Sequence, residues 1–322
     1  MISIVMPAYN AASFLRQTVH SLLDGATGDI EIVICNDGSE DDTLTIANAL
    51  AGEYESIKVV SQTNRGAAAA RNRAFSEAIG EWILYFDADD LLAKGAIARI
   101  ATMAGSIDAS SGSVAIYWSW AKFRVVPSVL ERPFVSLHGS RRGWQWVREA
   151  FATDYPTFVG SILLPRALID RIGGWDESLT IQDDMEFFAR MLCAVREVHY
   201  CVDALFLYRQ SAPNSLSQAI GRSSFESRAQ ATLLAVGYLV AMNNETQARQ
   251  AAARQLMQVA YVHYLDAPDL SRMVRLRAYD LVGANAAAKV PLQGGRLRRA
   301  LQSIFGWRIT LHIHRVWRMM TQ

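Results

Sequence analysis

The sequence predicts an α/β fold: a Rossmann-like, mostly parallel sheet flanked by helices, followed by a helical C-terminal extension. Three observations carry that reading. Over the first hundred residues, short apolar runs alternate with segments of helical period. Each apolar run stops at a polar cluster, as strands do at the ligand-bearing edge of such a sheet. From about Ser223 the pattern is helical, punctuated by Pro268, Pro291 and the Gly294-Gly295 pair.

Taken in order, ISIVM (Ile2 to Met6) reads as a buried strand ended by Pro7. Phe14, Leu15, Thr18, Val19 and Leu22 have the spacing of a helix over about Ser13 to Leu23. IEIVIC (Ile30 to Cys35) is a second strand, stopped by Asn36-Asp37-Gly38. Asp41 caps a helix that runs to about Leu50. IKVVS (Ile57 to Ser61) is a third strand, and an Ala-rich helix follows over Ala67 to Ala78. WILYF (Trp82 to Phe86) is a fourth strand, ended by Asp87-Ala88-Asp89-Asp90. Residues 113–120 and 198–208 read as further strands, with a helix over about Asp183 to Cys193 between them. A boundary near residue 220 divides the chain into an α/β domain, 1–220, and a helical region with a basic tail, 221–322.

Composition narrows the class. The 322 residues are 51% hydrophobic with a formal net charge of +1. That suffices for one large core, or for one core plus a smaller appendage, and the near-neutral balance argues against a dedicated nucleic-acid binder. Cys35, Cys193 and Cys201 form no CxxC, which favours a reducing compartment over a disulfide framework. MISIVMPAYN lacks the basic start and long apolar stretch of a signal peptide. The longest apolar run, near Ala231 to Met242, falls short of the ~20 residues that span a bilayer. A cytoplasmic location is expected. Charge is uneven, however: no Asp or Glu follows Asp280, while Lys289, Arg296, Arg298, Arg299, Arg308, Arg315 and Arg318 do.

The polar clusters carry the chemistry, and each has a plainer reading beside it. Pro7-Ala8-Tyr9-Asn10 leaves the first strand at the ligand edge; Tyr9 can stack on a base, or simply be half-buried at a strand exit. Asp37 of Asn36-Asp37-Gly38-Ser39 can accept an imide N–H such as that of uracil, although the same residues make a good tight turn. Asp87, Asp89 and Asp90 crowd three carboxylates into four residues. Such groups repel unless a hard cation gathers them, though a solvated cap can use one or two. Asp183-Asp184 opens a helix, where the macrodipole favours acid and where a general base would also fit; Phe187, Phe188 and Met191 have the spacing to anchor it. Asn64-Arg65-Gly66 begins the Ala-rich helix, whose Arg71 can face donor phosphates and whose small residues permit close packing. Gly173-Gly174-Trp175-Asp176 is a turn, in which Trp175 is a candidate sugar platform.

The six histidines have no paired ligand spacing, and GxGxxG, GxxxxGK[ST] and GxSxG are absent. As a set, IVMPAYN, VICNDGSEDDT, NRGAAAARNRA, FDADD, GGWDE and QDDMEFFARM resemble the family 2 inverting glycosyltransferases of the GT-A fold, in their order and with similar gaps. The resemblance covers about residues 1–215 and stops before the last hundred.

The resemblance implies roles residue by residue. Tyr9 and Asp37 would hold the uracil of a UDP-type donor. Asp87 and Asp89 would form the DxD that engages the ribose and, through Mn²⁺ or Mg²⁺, the diphosphate, with Asp90 sharing the metal. Pro7, Ala8, Asn10, Asn64, Gly66, Arg71 and Ala88 complete the donor side. Asp184 would be the catalytic base; Asp183 stands beside it where the family has Glu, and no histidine closely follows Tyr208-Arg209. The implied reaction moves a sugar from a nucleotide-sugar donor to a glycan or lipid-linked saccharide, as in exopolysaccharide, capsule or O-antigen synthesis. The basic tail is compatible with a peripheral site on the inner face of the cell membrane. Two other classes remain open: a nucleotidyltransferase, which would need a Gly-rich phosphate loop that PAYNAASF lacks, and a catalytically silent sugar-nucleotide-binding module, which would not need the carboxylates.

Overall fold

Seven elements in strict alternation open the chain: β1 (Ile2–Ala8), α1 (Leu15–Leu23), β2 (Ile30–Asp37), α2 (Thr43–Glu53), β3 (Ile57–Gln62), α3 (Ala67–Glu77) and β4 (Trp82–Tyr85). The computed structural model describes residues 1–26, 30–124, 131–134 (backbone only), 137–153, 159–210, 221–291, 302 and 306–313. β1, β2 and β4 are almost wholly buried. Helices cover both faces of the sheet, which is why these strands read as unbroken apolar runs.

Pro7 does not end β1. The strand continues to Ala8, with Pro7 opposite Cys35 of β2. The Val5 carbonyl accepts the Phe86 N–H at 3.0 Å, so Val5 faces β4. Pro7, two residues on, faces the same way, past the last paired residue of β4, Tyr85. Its missing N–H leaves no ladder bond unmade. β2 likewise runs two residues beyond Cys35, which carries Asp37 to the sheet edge.

Beyond β4 the chain forms β5 (Leu91–Leu92), α4 (Ala96–Gly105), β6 (Val114–Phe123), β7 (Glu131–Phe134), β8 (Arg141–Arg142), α5 (Gly143–Thr153), β9 (Ile162–Pro165), α6 (Arg166–Ile172), α7 (Asp183–Ala194) and β10 (Glu197–Arg209). The sheet order is β3-β2-β1-β4-β9-β6-β10-β5, with β7 on β6 and β8 on β10. The parallel pattern holds from β3 to β4. β9 then inserts antiparallel between β4 and β6, and β10 returns parallel to β6. The sheet is therefore mixed, and its parallel half is the one that ends in the polar clusters.

The helices α8 (Arg222–Met242), α9 (Thr246–His263), α10 (Pro268–Val282) and α11 (Ala284–Ala288) follow, and residues 306–313 are helical as well. Residues 211–220, which lead up to the expected boundary near residue 220, lie outside the described residues. On either side of it the core is continuous: one buried cluster holds Phe187 and Leu192 of α7 together with Ala235 and Leu239 of α8. Within the described part of the tail, Trp307 is 6% exposed and packs on Tyr261 and Tyr264 at ring distances of 5.1 and 5.0 Å. Arg296, Arg298, Arg299, Arg315 and Arg318 lie outside the described residues. No helix among the described residues is long and apolar enough to cross a membrane. All three cysteines are buried free thiols.

Candidate active site

The exits of β1 and β2 are tied together. Asn10, in the left-handed region at φ 49°, donates its N–H to the Ser39 hydroxyl at 3.1 Å and accepts the Glu40 N–H on its side-chain oxygen at 2.9 Å. Ala8 is buried beside this junction, while Tyr9 is 49% exposed and leans into solvent at the sheet edge. The N-cap of α2 is Asp42 rather than the expected Asp41, which instead ties the loop down by accepting the Thr43 N–H at 3.0 Å and, on its other oxygen, the Ala12 N–H at 3.1 Å.

Asp37 orders the next loop. It is 3% exposed and accepts from the Gln62 amide at 2.8 Å, the Arg65 N–H at 2.9 Å and the Gly66 N–H at 2.9 Å. An ionised carboxylate offers about four acceptor positions, so about one is left for a ligand. Gly38, at φ 70°, lets the two loops touch: a Cβ there would lie 2.7 Å from the Asn64 backbone nitrogen. Gly66, at φ 89°, then opens α3.

The acidic loop after β4 divides its carboxylates. Asp87 and Asp89 are partly exposed, but Asp90 is 2% exposed and turned inward. It accepts the Arg209 N–H at 2.7 Å. Burial, then the charges of Asp89 and Asp87, hold its pKa well above the usual carboxylate range. The expectation that Asp90 shares a metal is corrected accordingly: this carboxylate anchors the loop to the end of β10. Arg209 completes the clamp by donating to the Asp89 carbonyl at 2.6 Å and to Gln17 at 2.8 Å, and Thr18 donates to the Ala88 carbonyl at 2.9 Å. Its guanidinium lies over Phe14 and Phe123, at 4.8 and 4.6 Å.

Arg71 joins this loop to α7. One terminal nitrogen pairs with Asp87 and the other with Asp183, each at 2.8 Å. At 5% exposure the guanidinium is committed to those two acids, which corrects the expectation that it faces donor phosphates. Burial opposes its charge, yet Asp87 and Asp183 raise its pKa above the ordinary arginine value. Trp175, 3% exposed, lies beneath it at 4.3 Å. Trp175 also stacks on Phe187 at 4.1 Å and 7°, so its ring offers no open face and the sugar-platform expectation is corrected to a packing role. Asn72 fixes the turn by accepting the Trp175 N–H at 2.8 Å and donating to its carbonyl at 2.9 Å.

Asp183 and Asp184 occupy the first turn of α7, whose Phe187, Phe188 and Met191 are fully buried. The preceding Gln182 is left-handed at φ 60°. Asp184 accepts the Met185 N–H at 2.8 Å. Burial, and then the neighbouring Asp183, push its pKa up to about 7. Tyr208 borders the same acids: burial, then Asp90, Asp89, Asp87 and Asp184, push its phenol up to about 12. Ser227 of α8 supports the approach to α7, accepting the Thr180 and Ile181 N–H groups at 2.9 and 3.0 Å.

Asp87, Asp183 and Asp184 thus gather around Arg71, with Asp89 on the same loop as Asp87 and with Tyr9 and Asp37 on neighbouring loops of the same edge. Among the described residues no three ligating side chains converge on a metal position. The two outward carboxylates fit a hard cation of the Mg²⁺ kind, which is commonly held by one or two carboxylates together with substrate phosphates. Sequence reasoning missed Arg209, Thr18 and Ser227. The only local signal for Arg209 was the Tyr208-Arg209 pair at a strand end.

Known proteins share sequence and fold with this chain. Residues 3–158 match the family described as glycosyl transferase family 2. A chondroitin synthase of Pasteurella multocida (strain Pm70) is 41% identical over 97 residues, 30% of this chain and 10% of that protein. The chain therefore aligns with only about a tenth of that synthase's length. An uncharacterized glycosyltransferase of Bacillus subtilis (strain 168), EpsJ, is 28% identical over 220 residues, 68% of this chain and 63% of the relative. Among solved structures, S. aureus TarS 1–349 in complex with UDP-GlcNAc superposes with a TM-score of 0.66 at 17% identity, covering 89% of this chain and 82% of that one. That likeness shows the fold, GT-A.

Proposed function

We propose that this chain, which belongs to glycosyl transferase family 2 through residues 3–158, is an inverting, metal-dependent transferase that moves a sugar from a nucleotide-diphosphate donor to an acceptor hydroxyl. The observation that carries the reading is the bridge Asp87–Arg71–Asp183, which brings the acidic loop of the sheet edge against the helix that bears Asp184.

Asp184 is the general base. A carboxylate with a pKa near 7 is ionised often enough, and basic enough, to take a hydroxyl proton at neutral pH. The freed oxygen attacks the anomeric carbon from the face opposite the diphosphate, and configuration inverts. Tyr9 offers its exposed ring to the base of the donor, and Asp37 its remaining acceptor position to a ring N–H. Asp87 and Asp89 are the residues to hold Mn²⁺ or Mg²⁺, which when bound would offset charge on the departing diphosphate.

A UDP-sugar is the favoured donor, supported by the UDP-GlcNAc in the similar TarS structure. A glycan or lipid-linked saccharide is the favoured acceptor, as in exopolysaccharide, capsule or O-antigen synthesis, supported by the likeness to a chondroitin synthase. The run of basic residues after Asp280 supports peripheral attachment to the inner face of a membrane. The test is a screen of UDP-, GDP- and dTDP-sugars with Mn²⁺ or Mg²⁺, reading release of the nucleoside diphosphate. Release from one donor class is expected; none from any donor with either metal would defeat the reading.

A further inference from the structure

Arg71 contacts two acids that lie far from each other in sequence. It sits in the middle of α3, whose N-cap is Gly66, and the Gly66 N–H is held by Asp37. The side chain of the next residue, Asn72, grips the Trp175 turn through two bonds to the Trp175 backbone. One turn and a half of α3 therefore touches the β2 exit, the β4 exit, and the chain leading into α7. Arg71 is the only link of this set that reaches both acidic motifs: Asp87 through one nitrogen and Asp183 through the other.

We infer that Arg71 is a positioning residue of the transfer reaction, fixing the spacing between the donor loop at Asp87 and the base Asp184 by holding Asp183. This inference rests on the proposed transferase reading and deepens it.

Three physical features support the role. The guanidinium is planar and forked, so it can meet two carboxylates at once with a fixed separation; a lysine ammonium is a point charge on a flexible stem. The group is buried over Trp175, which stacks on Phe187 of the same helix that carries Asp184. Sideways drift of the guanidinium is thereby limited by an aromatic column as well as by the two ion pairs. Arg71 is buried while Asp87 and Asp183 are partly exposed, so losing either acid leaves the buried guanidinium short of a counter-charge, and the three groups are coupled through it. Neither Asp87 nor Asp183 has to move for this to operate, and Arg71 need not touch substrate.

Arg71→Lys separates geometry from charge, because it keeps the charge and loses the fork. Arg71→Lys, Asp183→Asn and the double variant are assayed in the full chain with the donor found by the nucleotide-sugar screen. The expected result for Arg71→Lys is a kcat lower by about 10²-fold with donor KM within about 3-fold, the pattern of a group that matters in the transition state more than in donor binding. Asp183→Asn should lower kcat in the same sense. The double variant should be little worse than the poorer single, since both changes break one linkage. Melting temperatures of the unliganded proteins provide a second cycle, independent of turnover, in which the two substitutions should again be non-additive. Wild-type kcat in Arg71→Lys, or additive effects of the two changes on both kcat and melting, would overturn the inference alone. A wild-type chain that turns over no nucleotide sugar overturns the transferase reading and this inference with it. If Arg71→Lys proves too unstable to assay, Arg71→Gln with Asp183→Asn supplies the same cycle.

Discussion

The Asp90 carboxylate accepts the backbone N–H of Arg209 at 2.7 Å, and the Arg209 side chain returns a bond to the Asp89 carbonyl at 2.6 Å. Two segments more than a hundred residues apart are buttoned together, and the button decides which carboxylates of the acidic loop face outward. Asp90→Asn keeps an oxygen acceptor for that N–H and should retain donor binding. Asp90→Ala removes this buried acceptor, at a cost of about 1–3 kcal/mol. Urea unfolding of the two variants checks the difference. Loss of metal-dependent donor binding in Asp90→Asn, with stability intact, would return Asp90 to the metal.

Asp184 gives a signed pH dependence. Burial and then Asp183 move its carboxyl from an ordinary 3.8 up to about 7 in the folded chain. Between those values the folded chain keeps a proton that the unfolded chain releases, so this group makes stability fall as pH rises through the window. Above pH ~7 the penalty is complete, and below pH ~4 it is gone. Asp184→Asn should therefore melt higher than wild type at pH 8, with the difference vanishing near pH 4. The same substitution should lower kcat by about 10²–10⁴-fold while leaving donor binding nearly unchanged. In the wild type, kcat/KM should climb through pH ~7 as the base ionises. Equal melting of the two proteins at every pH would contradict the raised value.

Gly38→Ala tests the contact between the loops after β2 and β3. At φ 70°, with 2.7 Å between the added Cβ and the Asn64 nitrogen, the substitution must strain the backbone and push the loops apart. A loss of about 1–3 kcal/mol in stability is expected, with weaker donor binding in titration calorimetry. Unchanged donor affinity would mean that Asp37 and Asn64 do not serve the donor.

Chelation addresses the cation. EDTA should abolish transfer, and Mn²⁺ or Mg²⁺ should restore it. Asp89→Ala should weaken donor binding in titration calorimetry carried out with the metal. Full turnover in excess chelator would remove the metal from the mechanism.

The basic tail makes a separable prediction. The 322-residue chain should float with liposomes containing anionic lipid, and deletion of residues 294–322 should reduce flotation, each Lys or Arg near the surface contributing ~1 kcal/mol. Trp307 belongs to the protein's own packing, so attachment must come from other residues of the segment. Equal flotation of both forms would assign any lipid binding to another surface.

What could be read from the sequence was what local period controls. The first four strands, the helices between them and the polar cluster at each exit follow from runs of apolar residues and from where they stop. Orientation did not follow. Asp90 and Asp89 are chemically identical neighbours, and only Arg209, across the sheet, turns one of them inward. Arg71 looked like a phosphate ligand because its acidic partner Asp183 is distant in the chain. Trp175 resembled a platform because Phe187, which covers it, lies on another element. The four-residue run ILLP of β9 is too short to carry a period, so the switch to a mixed sheet was invisible too.

Ser227 bears on protein engineering. Its hydroxyl, on the first helix after the expected boundary, receives the N–H groups of Thr180 and Ile181, just before the base-bearing helix. A chimera spliced near residue 220 would separate this hydroxyl from the two amides it serves. Exchange of the C-terminal helices between relatives is therefore best done as a cassette that begins before Thr180, so that donor and recipient each keep their own pairing at the seam.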